Sequence, residues 1–124
     1  MPKWLGLVLG GVAGTVARYT ISGAAYKMLG TDFPYGTLVV NLTGCFLIGF
    51  LDTLAEEKFL LPPNARILLM VGFCGAYTTF STLMLETSNL MKTGEPGKAF
   101  ANVLASVVVG FLVFRAGVFL AEIL

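Results

Sequence analysis

Residues 72–83 read Gly-Phe-Cys-Gly-Ala-Tyr-Thr-Thr-Phe-Ser-Thr-Leu, so Thr78, Thr79, Ser81 and Thr82 crowd their hydroxyls around Phe80. Hydroxyl side chains compete for backbone hydrogen bonds, and Gly75 lowers helix propensity, so an uninterrupted helix is disfavoured here. A break would expose carbonyl oxygens at the end of one half-helix and N–H groups at the start of the next. The carbonyl end can hold a cation and the N–H end can face an anion. The competing reading is a continuous helix whose hydroxyls bond back to the preceding turn. Phe80 adds a positively polarised ring edge that can touch an anion, although packing is the commoner role of such a ring. Thr37 and Asn41 lie one turn apart and share a helix face. The Asn41 amide offers two N–H donors and one acceptor, which either tie two helices together or present N–H to an anion. Asn102 and Ser106 give a later segment one polar face. This is chemistry for recognising a small ion. Bond-making chemistry lacks its parts: there is no histidine, and no acid–base or metal cluster at a workable spacing.

The elements that position these groups follow from composition. The chain has 124 residues, 56 % hydrophobic and 12 % charged, the latter about half the share of a soluble domain. Eight basic and seven acidic side chains leave a net charge of +1, which offers nucleic acid no basic patch. The apolar content excludes a disordered chain. Trp4 to Tyr26 carries one charge, Arg18; Phe33 to Leu51 and Ile67 to Leu85 carry none; Ala99 to Ala121 carries one, Arg115. Each stretch runs about 19 to 23 residues, enough for a helix to cross the hydrocarbon core. The expectation is an all-α membrane protein forming a single four-helix domain over 1–124. Its spans are about 4–26, 34–52, 66–90 and 98–122, with the third broken mid-membrane. Short polar links rich in Gly and Pro punctuate the spans. The first span is too long, and carries Arg18 too deep, for a cleaved signal peptide. Cys45 and Cys74 read as small apolar filler.

Orientation is ambiguous in an informative way. Four spans put both ends of the domain on one side, with Lys3, Lys58 and Arg66; Lys27, Lys92 and Lys98 fall on the other. Three against three gives the positive-inside rule nothing to act on. Such a chain can insert both ways up and assemble as an antiparallel, dual-topology dimer; the alternative is a weak bias set by loop placement or by a partner. Gly6, Gly10 and Gly14 form a small-residue seam for close helix approach, for which packing within one subunit is the better explanation. Arg18 lies too deep to go without a carbonyl or carboxylate partner. Glu86 either snorkels or faces a watery vestibule, and Arg115 is near enough to a span end to snorkel.

These residues form a familiar set. Gly10-Gly11-Val12-Ala13-Gly14 leads to Arg18. Gly36-Thr37-Leu38-Val39-Val40-Asn41 follows, with Gly44 and Gly49. Gly72-Phe73-Cys74-Gly75 runs into Thr78-Thr79-Phe80-Ser81-Thr82 and then Glu86. In this order and spacing the chain resembles the Fluc (CrcB-type) fluoride channels over essentially its whole length. The resemblance implies an antiparallel dimer of four-helix subunits in the cell inner membrane, with two pathways through which fluoride leaks passively out of the cytoplasm. It implies that Asn41 and Phe80 lie along the anion path, with Ser81, Thr82 and Ser106 on or beside its polar lining. It further implies a structural Na+ on the two-fold axis, held by the carbonyls of Gly75 and Thr78 from both subunits. The family usually has a second Phe three residues after the first. Here Leu83 stands in that place, leaving the two-ring fluoride box incomplete and allowing a heterodimer as well as a homodimer. Asn102 and Gly110 occupy positions where pathway hydroxyls are often found. The main rival is a small dual-topology multidrug exporter, which needs a carboxylate in the first span; this one has Arg18 and no acid. A helper subunit beside a larger membrane protein is a third reading, under which the hydroxyl cluster would be gratuitous.

Overall fold

A computed structural model describes residues 2–124. It is all-helical. Helix α1 (Lys3–Leu29) is followed by α2 (Tyr35–Glu56). A third crossing, Pro63–Lys92, is divided into α3 (residues 63–77) and α4 (Phe80–Lys92), and α5 (Pro96–Glu122) completes the bundle. The four crossings are long and apolar enough to span a membrane. Large apolar side chains such as Val8, Val12, Phe100, Phe111 and Phe119 are exposed on their outer faces, as a bilayer solvent allows. Except at the start of α2, where the helix begins at Tyr35 and the stretch at Phe33, the helices outrun the sparsely charged stretches of sequence by one to seven residues. Backbone hydrogen bonding continues through the interfacial layer, where charged side chains reach water.

The bundle is built from two tight pairs. One joins α1 to α3, the other α2 to α5. In the first, Gly6, Gly10 and Gly14 are buried, and a Cβ on Gly10 or Gly14 would collide with the carbonyl oxygens of Leu68 or Phe73. The glycine seam therefore packs within the subunit. In the second pair the devices are Gly49 against the Phe114 carbonyl and Gly117 against the Phe46 carbonyl. Between lipid-facing helices such small residues gain the dispersion contact that water-driven burial does not supply. Gly117→Ala is expected to force the α2–α5 backbones apart and lower stability by about 1–3 kcal/mol. A lower midpoint in a detergent-denaturation titration of helicity would show it.

Two features of the third crossing stand out. Ile67–Cys74 winds as a widened π-type helix, between α turns at Pro63–Arg66 and Gly75–Tyr77. Nothing in that apolar stretch foretold it. The helix then stops: Thr78 (φ −93°, ψ 158°) and Thr79 (φ −151°, ψ 114°) are extended, and α4 begins at Phe80. The expected break is present, midway along the crossing. Lys58 Nζ donates to the Glu122 carbonyl at 3.1 Å, and Lys98 Nζ to the Asp32 carbonyl at 3.2 Å. The 57–62 link thus shares one end of the bundle with the finish of α5, and the other two links share the opposite end.

Candidate functional site

Two extended residues inside a crossing leave backbone groups that must be satisfied internally. The first half-helix ends with Thr78 N–H on the Cys74 carbonyl at 3.1 Å and Thr78 Oγ1 on the same oxygen at 3.0 Å. Asn41 then grips Thr79 twice. Its Oδ1 accepts the Thr79 N–H at 2.8 Å, and its Nδ2 donates to the Thr79 carbonyl at 3.1 Å. The side chain imitates one rung of a β-ladder. Both readings of Asn41 thus bear on one residue: it ties α2 to the break, and one Nδ2–H remains for another acceptor. Thr79 Oγ1 caps α4 by accepting the Thr82 N–H at 3.2 Å, and it donates to Thr82 Oγ1 at 3.0 Å. Gly44 leaves room for this turn, since a Cβ there would overlap the Thr78 methyl.

Arg18 has the carbonyl partner its depth requires: Nε donates to the Ala76 carbonyl at 3.0 Å. In a continuous helix that oxygen would accept from the Phe80 N–H, so the guanidinium replaces a bond the break removes. It also places positive charge at the negative end of the first half-helix. Arg18→Met is expected to cost about 1–3 kcal/mol through the orphaned carbonyl. Arg18→Lys should recover part of the loss, because an ammonium still donates. Paired denaturation titrations of the two variants would separate these outcomes.

A groove of about 430 Å³ opens beside the break, lined among others by Asn41, Gly75, Thr78, Phe80, Leu83 and Ser106. The structure thus gathers six of the residues singled out by sequence. Phe80 is 73 % exposed and Leu83 only 6 %, so the two positions differ in surroundings as well as in chemistry. Ser106 lines the groove and donates its hydroxyl proton to the Asn102 carbonyl at 2.7 Å. Ser81 and Thr82 sit at the cap of α4 and do not line this groove. Glu86 lies apart, in a second cavity of about 410 Å³ at the end holding Asp32 and Lys98. Tyr26 donates its phenol to Glu86 Oε2 at 2.9 Å, while Oε1 is buried without a partner among the described residues.

A protein-family model described as "CrcB-like protein, Camphor Resistance (CrcB)" matches residues 5–118. The chain belongs to the CrcB family. The relatives agree. A protein of Maridesulfovibrio salexigens named "Fluoride-specific ion channel FluC" is 40 % identical over 124 residues, covering 100 % of this chain and 98 % of that protein. One of the same name from Chlorobaculum tepidum is 48 % identical over 114 residues, 92 % of this chain and 90 % of the relative. Another, from Hydrogenobaculum, is 44 % identical over 122 residues, 98 % and 99 % of the two chains. As a CrcB-family member with four membrane-crossing segments, the chain is a multi-pass membrane protein.

Sequence reasoning missed two residues of this CrcB-family site. Tyr77 is buried, and its hydroxyl meets Thr43 Oγ1 at 2.8 Å, which braces α2 against the last turn before the break. Tyr26 is the partner of Glu86. The available signal was the same for both: a phenol inside an apolar span needs a hydrogen-bond partner.

Proposed function

We propose that this CrcB-family chain is a fluoride-selective passive channel that releases fluoride from the cytoplasm across the cell inner membrane. The reading rests on one observation: a mid-crossing break, held open by Asn41, borders the same groove as the exposed ring of Phe80. The name carried by the relatives supports fluoride as the ion. Fluoride is small and strongly hydrated, so a narrow path must replace its water with donors and positive ring edges. The spare Asn41 N–H and the Phe80 edge are suited to that task, with Ser81, Thr82 and Ser106 as polar neighbours. Larger chloride is excluded by size, and the weakness of each contact permits release. Leu83 gives apolar bulk without a quadrupole, so Phe80 carries the ring contact alone. Arg18 serves as a structural group at the break, and Glu86 as an electrostatic group in the second cavity.

The working unit in this proposal is an antiparallel dimer of two copies, one inserted each way up, as the even split of basic residues suggests. A heterodimer is the variant that would supply a second ring opposite Leu83. A bare protomer leaves Gly75 and Phe80 exposed at the break, which favours a partner there. The break also releases the Gly75 and Thr78 carbonyls from the helical ladder, hard oxygen donors suited to Na+. Those carbonyls from two protomers would hold one structural Na+, whose chemistry is charge neutralisation at the two-fold axis.

The multidrug-exporter reading is disfavoured because α1 offers Arg18 and no carboxylate. Purified protein alone in liposomes loaded with fluoride or chloride decides the matter. Rapid loss of fluoride with retention of chloride is the expected result; leakage of both, or of neither, overturns the proposal.

A further inference from the structure

The link between α2 and α3 has an unusual conformation. Phe59 has φ +55°, a left-handed backbone that a bulky aromatic residue rarely adopts, and its ring is 84 % exposed. Leu60, beside it, is 65 % exposed. The surrounding bonds hold this shape. Lys58 N–H bonds the Thr53 carbonyl at 3.2 Å, and Leu60 N–H bonds the Leu54 carbonyl at 2.9 Å. Arg66 reaches across the link, with Nε on the Leu61 carbonyl at 3.3 Å, Nη2 on the Ala55 carbonyl at 3.1 Å and Nη1 on Glu56 at 2.9 Å. Pro62 and Pro63 stiffen the exit. A strained, braced link that displays two apolar side chains outward calls for an apolar occupant.

We infer that the Phe59–Leu60 tip is an interfacial anchor that inserts into the boundary between lipid headgroups and acyl chains. Three observations favour lipid over a protein partner. The link joins two membrane-crossing helices, so its height is that of the bilayer surface. Its two apolar side chains are exposed, as are Leu5, Val8 and Val71 on the neighbouring crossings. Helix α1 runs parallel to α3, Gly6 meeting Gly72 and Gly14 meeting Phe73, so Trp4 stands at the same end of the bundle. Trp4 is 69 % exposed, with Lys3 Nζ 5.6 Å from its ring centroid. Aromatic rings at one level, with basic side chains beside them, are the arrangement bilayer interfaces select.

The anchor has a mechanical role. Helix α3 starts directly after the link, and Arg66 belongs to both. Fixing Phe59 at the boundary therefore fixes how deep α3 descends. At 1.5 Å per residue the break lies about 22 Å or less below Pro63, within a hydrocarbon core of about 30 Å. The anchor thus sets the depth of the Thr78–Thr79 break.

The test uses the full chain with one tryptophan, Phe59→Trp on a Trp4→Phe background, in phosphatidylcholine vesicles. The phospholipids carry bromine either close to the headgroup or near the chain ends. The expected result is blue-shifted emission, quenched about twofold or more better by the headgroup-proximal bromines than by the deep ones, with weak quenching by aqueous iodide. Emission typical of water, quenched by iodide and indifferent to brominated lipid, would overturn the inference and leave the tip free for a soluble partner. Strongest quenching by the deep bromines would also overturn it. Should Phe59→Trp fail to fold, Leu60→Trp reports on the same tip with the same outcomes. Adding Arg66→Met should raise iodide access about twofold or more, because the brace is gone; unchanged access would reject the bracing role.

Discussion

The Phe80→Ile protein is expected to fold, reach the membrane and pass no measurable fluoride. The ring is 73 % exposed, so packing inside the protomer hardly depends on it. Isoleucine keeps apolar bulk and removes the positive edge that would replace water around the ion. Losing even about 3 kcal/mol of stabilisation at the tightest point slows passage roughly 100-fold. Fluoride efflux from liposomes, followed with a fluoride electrode, should fall to the protein-free rate. Helicity and elution volume should match those of the unmodified chain. Unchanged efflux would remove Phe80 from the path while leaving the rest of the groove in question.

Asn41→Ala is expected to act on both structure and flux. The substitution strips two hydrogen bonds from Thr79 and leaves its N–H and carbonyl unpaired in a low-dielectric interior. Two orphaned groups cost about 2–5 kcal/mol together. The break should then lose its fixed shape, and efflux should vanish together with a marked drop in the denaturation midpoint. Asn41→Asp divides the two effects. A carboxylate still accepts the Thr79 N–H but cannot donate to the Thr79 carbonyl, and its charge repels an anion. It should retain more stability than Asn41→Ala and still conduct nothing. Efflux from the aspartate variant would show that the amide is only a structural clamp.

What could be read from the sequence was whatever charge and polarity announce. Four uncharged or nearly uncharged stretches foretold four crossings, because hydrocarbon tolerates nothing else. The hydroxyl run foretold the break, and the depth of Arg18 foretold a carbonyl or carboxylate partner, of which the structure supplies the Ala76 carbonyl. The widened helix at Ile67–Cys74 could not be read, since its apolar residues suit either winding; it lies against the glycines of α1. Nor was it legible that Asn41 would grip Thr79 by both atoms of its amide. That pairing depends on the register between α2 and the break, which only the folded bundle sets. The resemblance places Ser81 and Thr82 on or beside the polar lining of the path, and the sequence leaves Glu86 either to snorkel or to face a watery vestibule. The change of direction at Thr78–Thr79 turns them towards the cap of α4 and the second cavity.

The glycine contacts carry a consequence for how conduction can be regulated. Where Gly10, Gly14, Gly49 and Gly117 meet carbonyl oxygens of neighbouring helices, main chains already touch. Axial slippage of one rod past another would drive an oxygen into the next turn's side chain. The scaffold therefore has no lubricated joint. Within one protomer of the proposed channel, adjustment is then left to torsions of individual side chains beside the groove.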